Sequence, residues 1–284
     1  MRSFWKTLKS STRTAKFGMV IIILWILCAI FADVIAPYGP NDVNIMLRMK
    51  PPAWMDGGSS AHLLGTDEVG RDVLSRLIYG CQISLIVGLM SVVVSLIIGT
   101  TLGLVSGFFG GKVDAVIMRA CDVMLAFPFI FMALCFMAVL GSGLKNVIIV
   151  LGITGWMSYA RTVRGQTLSL REREFVRAAT TSGCKRTRVM FRHILPNVID
   201  QAIVLGTLEM GTSILSEASL TFLGMGVPAT IPTWGNMIAS GRDYIYTAWW
   251  LTTFPGLVIF LVCLSINFVG DWIRDVRDPR LRGA

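Results

Sequence analysis

Residue types that could carry catalysis are few in this chain, and none has a spacing that suits a catalytic or metal site. The two histidines, His62 and His193, are separated by several apolar runs and are predicted to lie on opposite sides of a membrane. They therefore cannot share a metal site or serve one nucleophile. The six cysteines form no CxxC pair and are expected to act as small apolar packing residues. The sequence has no GxxxxGK[ST] motif for nucleotide phosphates, so we expect no ATPase activity, cofactor or metal in this chain.

Two glutamates stand inside an otherwise apolar run over residues 198–223. An ionisable side chain is costly there unless it faces a bundle interior, water or a partner. Glu209 and Glu217 are therefore candidates for lining a polar path across the membrane. Interhelical hydrogen bonding explains them equally well from the sequence alone.

A cationic stretch, residues 161–200, lies between two apolar segments and is the strongest candidate for recognising a partner. It carries nine Lys/Arg against only three acidic residues, Glu172, Glu174 and Asp200. Apolar residues at helical spacing predict a first short helix with one apolar face: Leu168, Phe175, Ala178 and Ala179. Gly183 is placed to end that helix with a positive φ. A solvated basic loop that only fixes the topology is the simpler alternative.

A second short helix is predicted after Gly183. Val189, Met190 and Ile194 give it an apolar stripe, and Pro196 blocks its continuation unless the chain kinks there. The small residues around Gly183 would let another surface approach closely. His193 is expected to pack or to form a hydrogen bond near this second helix.

The composition shows what kind of protein must position these groups. Of the 284 residues, 54% are hydrophobic and 15% are charged, and the mean hydropathy is +0.67. These values are far from those of an ordinary soluble domain. The net charge of +9 is interpreted as cytoplasmic loops beside anionic lipid headgroups, with no nucleic-acid partner.

Six apolar segments predict an all-α polytopic membrane protein with six transmembrane helices, each long enough for a bilayer core of roughly 30 Å. They cover about residues 17–35, 81–107, 116–140, 146–162, 198–223 and 249–270. We divide the chain into residues 1–80, which hold the N-terminal tail, the first span and an extracytoplasmic segment, and residues 81–284. The second part holds five spans and the loop 161–200.

The distribution of positive charge orients these spans. With six spans, both termini and the loop 161–200 lie on one side, which then holds twenty of the 26 Lys/Arg. The positive-inside bias places that side in the cytoplasm. Both termini are therefore predicted to be cytoplasmic.

Two further patterns concern packing. Ser91, Ser95, Gly99, Gly103 and Gly107 recur every four residues, which predicts a stripe along which another membrane helix approaches closely. Before it, residues 64–78 contain a possible helix cap at Thr66 or Asp67. We expect this segment to rest as an amphipathic helix at the membrane interface.

The loop resembles a known motif. Ala178-Ala179, Gly183 four residues later, and Leu195-Pro196 resemble the EAA loop of ABC-importer permeases. Arg177 stands where the family has a glutamate, and His193 stands where it has an isoleucine. Glu174, one helical turn earlier, is the acidic residue that could replace the missing one.

A second resemblance is to the dipeptide, oligopeptide and nickel branch of these permeases, in its second subunit type. It rests on Gly65-Thr66-Asp67, Gly70-Arg71-Asp72 and Ser75-Arg76, and on similar stretches at residues 224–248 and 270–279. Recognisable stretches run from about residue 60 to the end of the chain.

The resemblance implies a permease subunit of an importer for small peptides or related solutes in the bacterial cytoplasmic membrane. It implies four kinds of partner: a homologous second permease, two ATPase subunits, an extracytoplasmic solute-binding protein and membrane lipids. ATP and Mg would be bound by the ATPase subunits. It also implies a coupling helix that contacts an ATPase, with the following residues as candidates: Glu174, Ala178, Ala179, Gly183, Cys184 and Lys185.

Three alternatives remain open at this point. The solute could be a nickel complex or a glutathione-like compound. The chain could work alone as a channel or secondary transporter, although only two glutamates and no convincing repeat support that. It could also be a non-transporting assembly subunit.

Overall fold

The computed structural model describes residues 12–277 of the chain, and these residues are nearly all helical. Part of the cationic N-terminal tail and the end of the C-terminal stretch fall outside the described residues. The helices, numbered in chain order, are α1 Arg13–Ile30, α2 Ala32–Ile35, α3 Val73–Phe109, α4 Gly111–Leu125, α5 Phe129–Leu140, α6 Leu144–Arg171, α7 Glu174–Thr181, α8 Arg186–Arg188, α9 Leu195–Phe222, α10 Trp234–Gly241 and α11 Trp250–Arg277.

Four stretches of the described residues are long and apolar enough to cross a membrane. They are Arg13–Ile30, Val73–Phe109, Arg186–Phe222 and Trp250–Val276. The bent pair α4 and α5 gives a fifth if it is counted as one span. Helix α6 has 28 residues but is not among the strongly apolar helices. These helices are compatible with the six predicted spans.

The predicted third span is not one continuous helix. Helices α4 and α5 meet at an angle of 94° across a break that ends at Pro128. Proline lacks an N–H and cannot continue the preceding helical hydrogen bonds, so it serves as the N-terminal cap of α5. The predicted third span, residues 116–140, is therefore sharply bent at Pro128.

The small-residue stripe of α3 lies against α6, as predicted. A Cβ built on Gly99 would collide with the carbonyl oxygen of Trp156, and one built on Gly103 would lie 2.5 Å from that of Ala160. On the same face, Ser95 Oγ donates a hydrogen bond of 3.0 Å to the carbonyl oxygen of Gly152. The two backbones therefore pack in direct contact, and larger side chains are excluded between them.

The buried apolar residues of the described chain form four clusters, two of which hold the segments discussed below. One, on the side predicted to be extracytoplasmic, joins α1, α3, α9, α10 and α11 and includes Trp25, Trp234 and Trp250. The other joins α3, α6 and α9 to the loop 161–200, and we call it the cytoplasmic cluster after the predicted orientation. The first cluster stabilises the segment before α3, and the second anchors the cationic loop.

Candidate functional site

Helix α7 forms the tip of the cationic loop and is attached by a single buried side chain. Val176 is 1% exposed and belongs to the cytoplasmic apolar cluster, together with Val189 and Ile194. The predicted second apolar stripe is therefore confirmed as a buried one. It forms a π-helical turn, Val189–Ile194, that leads into α9 with Pro196 in its first turn.

The glycine between the two short helices adopts the conformation that its position predicts. Gly183 has φ +80°, a left-handed value that side chains other than glycine adopt at a cost. Its N–H donates to the carbonyl oxygen of Thr180 at 3.1 Å, and the Cys184 N–H donates to that of Ala179 at 3.2 Å. These bonds close the C-terminus of α7 and turn the chain toward α8.

The outer face of α7 differs from the sequence expectation in two residues, Phe175 and Ala178, which were predicted on the apolar face and are exposed. Phe175 was expected on the inner apolar face, but it is 47% exposed, and its neighbour Val176 is buried instead. Successive helical residues are rotated by about 100°, so only one of the two can face the core. The exposed surface of α7 therefore combines Glu174, Phe175 and Ala178.

The positive charge around α7 is not neutralised within the described part of the chain. Five exposed cations near α7 form no ion pair among residues 12–277: Arg173, Arg177, Lys185, Arg186 and Arg188. The candidate residues Ala179 and Cys184 are half-buried behind this surface. The loop thus presents a cationic rim around a small apolar patch.

Polar contacts fix the base of the loop to the bundle. Arg164 of α6 makes two bonds to Asp114 of α4, from Nε at 2.5 Å and from Nη2 at 2.6 Å. Ser106 Oγ of α3 also lies 2.5 Å from Asp114 Oδ1. Bidentate Arg–carboxylate pairs hold a defined orientation, so α3, α4 and α6 are joined where the loop begins.

The two glutamates of α9 occupy different environments. Glu217 is buried, accepts a hydrogen bond of 2.8 Å from Thr221 Oγ1, and lies close to the Thr233 hydroxyl before α10. Glu209 is half-buried at the contact between α9 and α6, within hydrogen-bonding reach of Ser158. Glu217 is therefore bonded within α9, and its second oxygen, Oε2, has no hydrogen-bond partner among residues 12–277, whereas Glu209 lies beside a polar side chain of α6.

The segment before α3 forms a packed loop up to Asp72 and not the start of an amphipathic helix. Asp72 is buried and caps α3, because its Oδ2 accepts bonds of 2.8 Å from Ser75 N and from Ser75 Oγ. Its Oδ1 lies 2.9 Å from Nδ1 of His62, which is also buried. The predicted helix cap at Thr66 or Asp67 is therefore wrong: the helix begins at Val73 with Asp72 as its cap, and the preceding polar side chains bond to one another.

A second carboxylate organises the turn that precedes this cap. Asp67 accepts bonds from Val69 N at 3.0 Å, Arg71 N at 2.9 Å and Arg71 Nε at 2.6 Å. Arg76 is also buried and donates to the carbonyl oxygen of Pro40 at 3.0 Å. Sequence reasoning identified these residues as a motif but missed their role. The available signal was the dense alternation of acidic and basic residues with glycine.

Two tryptophans from distant parts of the chain complete this polar node, which we define as residues 62–76. Trp250 Nε1 donates to the carbonyl oxygen of Thr66 at 3.2 Å, and Trp234 Nε1 donates to that of Leu77 at 3.1 Å. The node thus ties α3 to α10 and to the start of α11. The structure does not bring it near the cationic loop, which lies beyond the far end of α3.

The comparisons with known proteins agree with this architecture. Residues 99–283 match the family of binding-protein-dependent transport system inner membrane components. Residues 1–52 match the N-terminal TM domain of oligopeptide transport permease C. The chain therefore belongs to the family of binding-protein-dependent transport system inner membrane components. It is a permease subunit of an ABC importer and a multi-pass protein of the inner membrane.

Individual relatives cover almost the whole chain. The di/tripeptide transport system permease protein DppC of Pseudomonas aeruginosa is 43% identical over 284 residues, which are 100% of this chain and 93% of that protein. The glutathione transport system permease protein GsiD of Pectobacterium atrosepticum is 38% identical over 281 residues, covering 99% of this chain and 91% of that one.

A solved structure shares the fold. The MetNI methionine ABC transporter, in an inward-facing conformation, matches with a TM-score of 0.57 at 19% identity. The match covers 72% of this chain and 97% of that chain. It supports the arrangement of the helices described above.

Proposed function

We propose that this chain forms part of the path of an importer for di- and tripeptides or closely related solutes. The relative named for di/tripeptide transport, at 43% identity over the whole chain, supports this substrate class. The relative named for glutathione transport, at 38% identity, supports a peptide-like thiol as the second candidate. Both solutes carry a free amino group and a carboxylate.

The proposal includes partners that supply energy and capture the solute. They are a homologous second permease chain, two ATPase subunits that bind ATP and Mg, and an extracytoplasmic solute-binding protein. The exposed surface of α7 is the observation that supports contact with an ATPase subunit. Phe175 is exposed at the tip of a loop whose base is fixed, and the surrounding cations are unpaired among the described residues. A surface of this kind fits a groove on an acidic or mixed partner.

The coupling would operate through the attachment of α7. Its buried residue, Val176, packs in a cluster with Leu104 of α3, Val163 of α6 and Val198 of α9. Closely packed residues transmit displacement rather than absorb it. Movement of a docked ATPase would therefore move these three long helices together and change access to the path.

The substitution Ala178→Trp tests the docking role without disturbing the core, because Ala178 is exposed. We expect it to fill the contact surface of α7, so that the ATPase subunits no longer co-purify with the two permeases and solute-stimulated ATP hydrolysis is lost. The matched control is Ala61→Trp, an exposed alanine of the extracytoplasmic segment.

The control should retain the ATPase subunits. If Ala178→Trp retained them too, with normal stimulated hydrolysis in the assembled complex, the docking role of α7 would be refuted. Solute flux through vesicles that contain the permeases without any ATPase would instead support a stand-alone channel.

A further inference from the structure

Two polar contacts cross the seam between α6 and α9 at the same spacing on both helices. Near the middle of the 28-residue α9, Glu209 lies within hydrogen-bonding reach of Ser158. Two turns nearer the cytoplasm, Gln166 Nε2 donates to Gln201 Oε1. The two helices run in opposite directions, so eight residues separate the contacts on each helix, a distance of about 12 Å. We call this row of residues the polar seam.

The polar seam is open to the outside of the described chain. Ser158 and Gln201 are exposed, and Gln166 and Glu209 are half-buried. In a membrane, polar side chains on an open face are expected to meet water, a solute or a partner rather than lipid. The seam therefore marks the side of this subunit that faces the interior of the assembly.

A buried hydroxyl without a partner lies beside Glu209. Tyr159 is 1% exposed, and its hydroxyl makes no hydrogen bond within residues 12–277. This hydroxyl lies 3.4 Å from the position of a Cβ built on Gly206, one turn from Glu209 on α9. Buried hydroxyls are normally satisfied. An unsatisfied polar group therefore lies behind the open face of the seam, one helical turn from Glu209 on α9.

The carboxylate of Glu209 also lacks a positive partner. No lysine, arginine or histidine forms an ion pair with it in the described part of the chain. Arg161, on the adjacent turn of α6 from Ser158, pairs with Asp122 at 2.6 Å instead. An unpaired carboxylate at the middle of a membrane is costly, so a cation that enters the seam would be bound favourably.

We propose that Glu209 binds the protonated α-amino group of a peptide as it passes through the importer. The ammonium group has three N–H donors, and Glu209 and Ser158 on the open face each provide an oxygen that can accept one of them. The assignment rests on the proposed function, because it takes a peptide as the solute. The same ammonium chemistry could come from a lysine of the second permease chain, and the experiment separates these two sources.

The test uses the complete complex, with both permeases and ATPases, in lipid vesicles with saturating solute-binding protein and radiolabelled Ala-Ala. Glu209→Gln keeps the shape of the side chain and removes its charge. We expect initial uptake to fall about tenfold or more, the size of one charge-assisted hydrogen bond. ATP hydrolysis stimulated by the loaded binding protein should stay within about twofold of the wild type, because α7 is unchanged. Glu209→Asp should restore much of the uptake.

The matched control is Asp56→Asn, which removes one negative charge from an exposed extracytoplasmic position away from the seam. It should leave Ala-Ala uptake unchanged. In a second measurement, ligand-observed NMR on the complex without binding protein should detect Ala-Ala better than N-acetyl-Ala-Ala. Glu209→Gln should abolish that difference.

Each outcome decides the matter. Unchanged uptake by Glu209→Gln, or equal NMR signals for the two peptides, would overturn the assignment. Loss of the second permease from the Glu209→Gln complex would also overturn it and would identify a partner lysine as the cation. If the wild-type complex transported neither peptide nor glutathione, the proposed function itself would fail, which is a separate result.

Discussion

At the scale of single residues, Asp72 illustrates how one carboxylate can determine where a helix begins. Its two oxygens bond to Ser75 at the start of α3 and to His62 in the preceding loop. Both Ser75 and His62 are buried, so neither could form a hydrogen bond to water if the carboxylate were removed. Asp72 therefore stabilises the fold in two ways: it caps α3, and it provides hydrogen-bond acceptors for the buried side chains of Ser75 and His62.

Substituting Asp72→Ala should destabilise the chain by roughly 2–3 kcal/mol, the cost of a lost helix cap together with an unsatisfied buried group. The measurement is thermal unfolding of the purified permease pair in detergent. Asp72→Asn should reduce the stability less than Asp72→Ala does, because asparagine is also a good N-cap. Equal melting temperatures for Asp72→Ala and the wild type would show that the polar node does not stabilise α3.

The sequence predicted the residues of the cationic loop better than it predicted their orientation. Gly183 was expected to adopt a positive φ and does so, because its position between two short helices leaves few alternatives. Phe175 was assigned to the wrong face, because an eight-residue helix offers one buried position and the pattern contained two candidates. The choice of Val176 depends on contacts with residues that are distant in the sequence.

At the scale of elements, the pair α3 and α6 forms the rigid centre of the subunit. The glycines of α3 bring the two backbones together over three successive turns. This contact was predictable, because small residues at every fourth position of an apolar helix favour the close approach of a neighbouring helix. The break at Pro128 was harder to predict from the sequence, because a proline can either bend a span or end one helix and begin another.

Gly103→Ala tests this contact. The added Cβ would lie 2.5 Å from the carbonyl oxygen of Ala160, so the helices must separate. We expect a loss of stability of roughly 1–3 kcal/mol, as in overpacked interiors. The matched control is Gly256→Ala in α11, where nothing lies within 4 Å of the added Cβ.

The control should be neutral or stabilising by up to about 1 kcal/mol, because alanine is the better helix former. Thermal unfolding of the permease pair compares the two variants. If both variants lowered the melting temperature equally, the loss of stability would come from replacing any glycine and not from the close approach of α3 to α6.

At the scale of the whole molecule, the cytoplasmic cluster connects the two functional surfaces. Val176 of α7 and Tyr159 of α6 belong to the same buried cluster, and Tyr159 borders the polar seam. Under the proposed coupling, we expect this shared cluster to carry a displacement of α7 toward the helices that hold Glu209. This connection could not be predicted from sequence, because the two residues are brought together only by the antiparallel packing of α6 and α9.

The central claim is that the exposed face of α7 contacts an ATPase in the cytoplasm, and a photo-crosslink tests it most directly. A benzoylphenylalanine at Phe175, 47% exposed, is compared with one at Tyr246, which is 98% exposed in the segment before α11. In membranes that hold the full complex, the account predicts an ATPase adduct at Phe175 and none at Tyr246. Assembly without an ATPase adduct at Phe175, or an ATPase adduct at Tyr246, would contradict it.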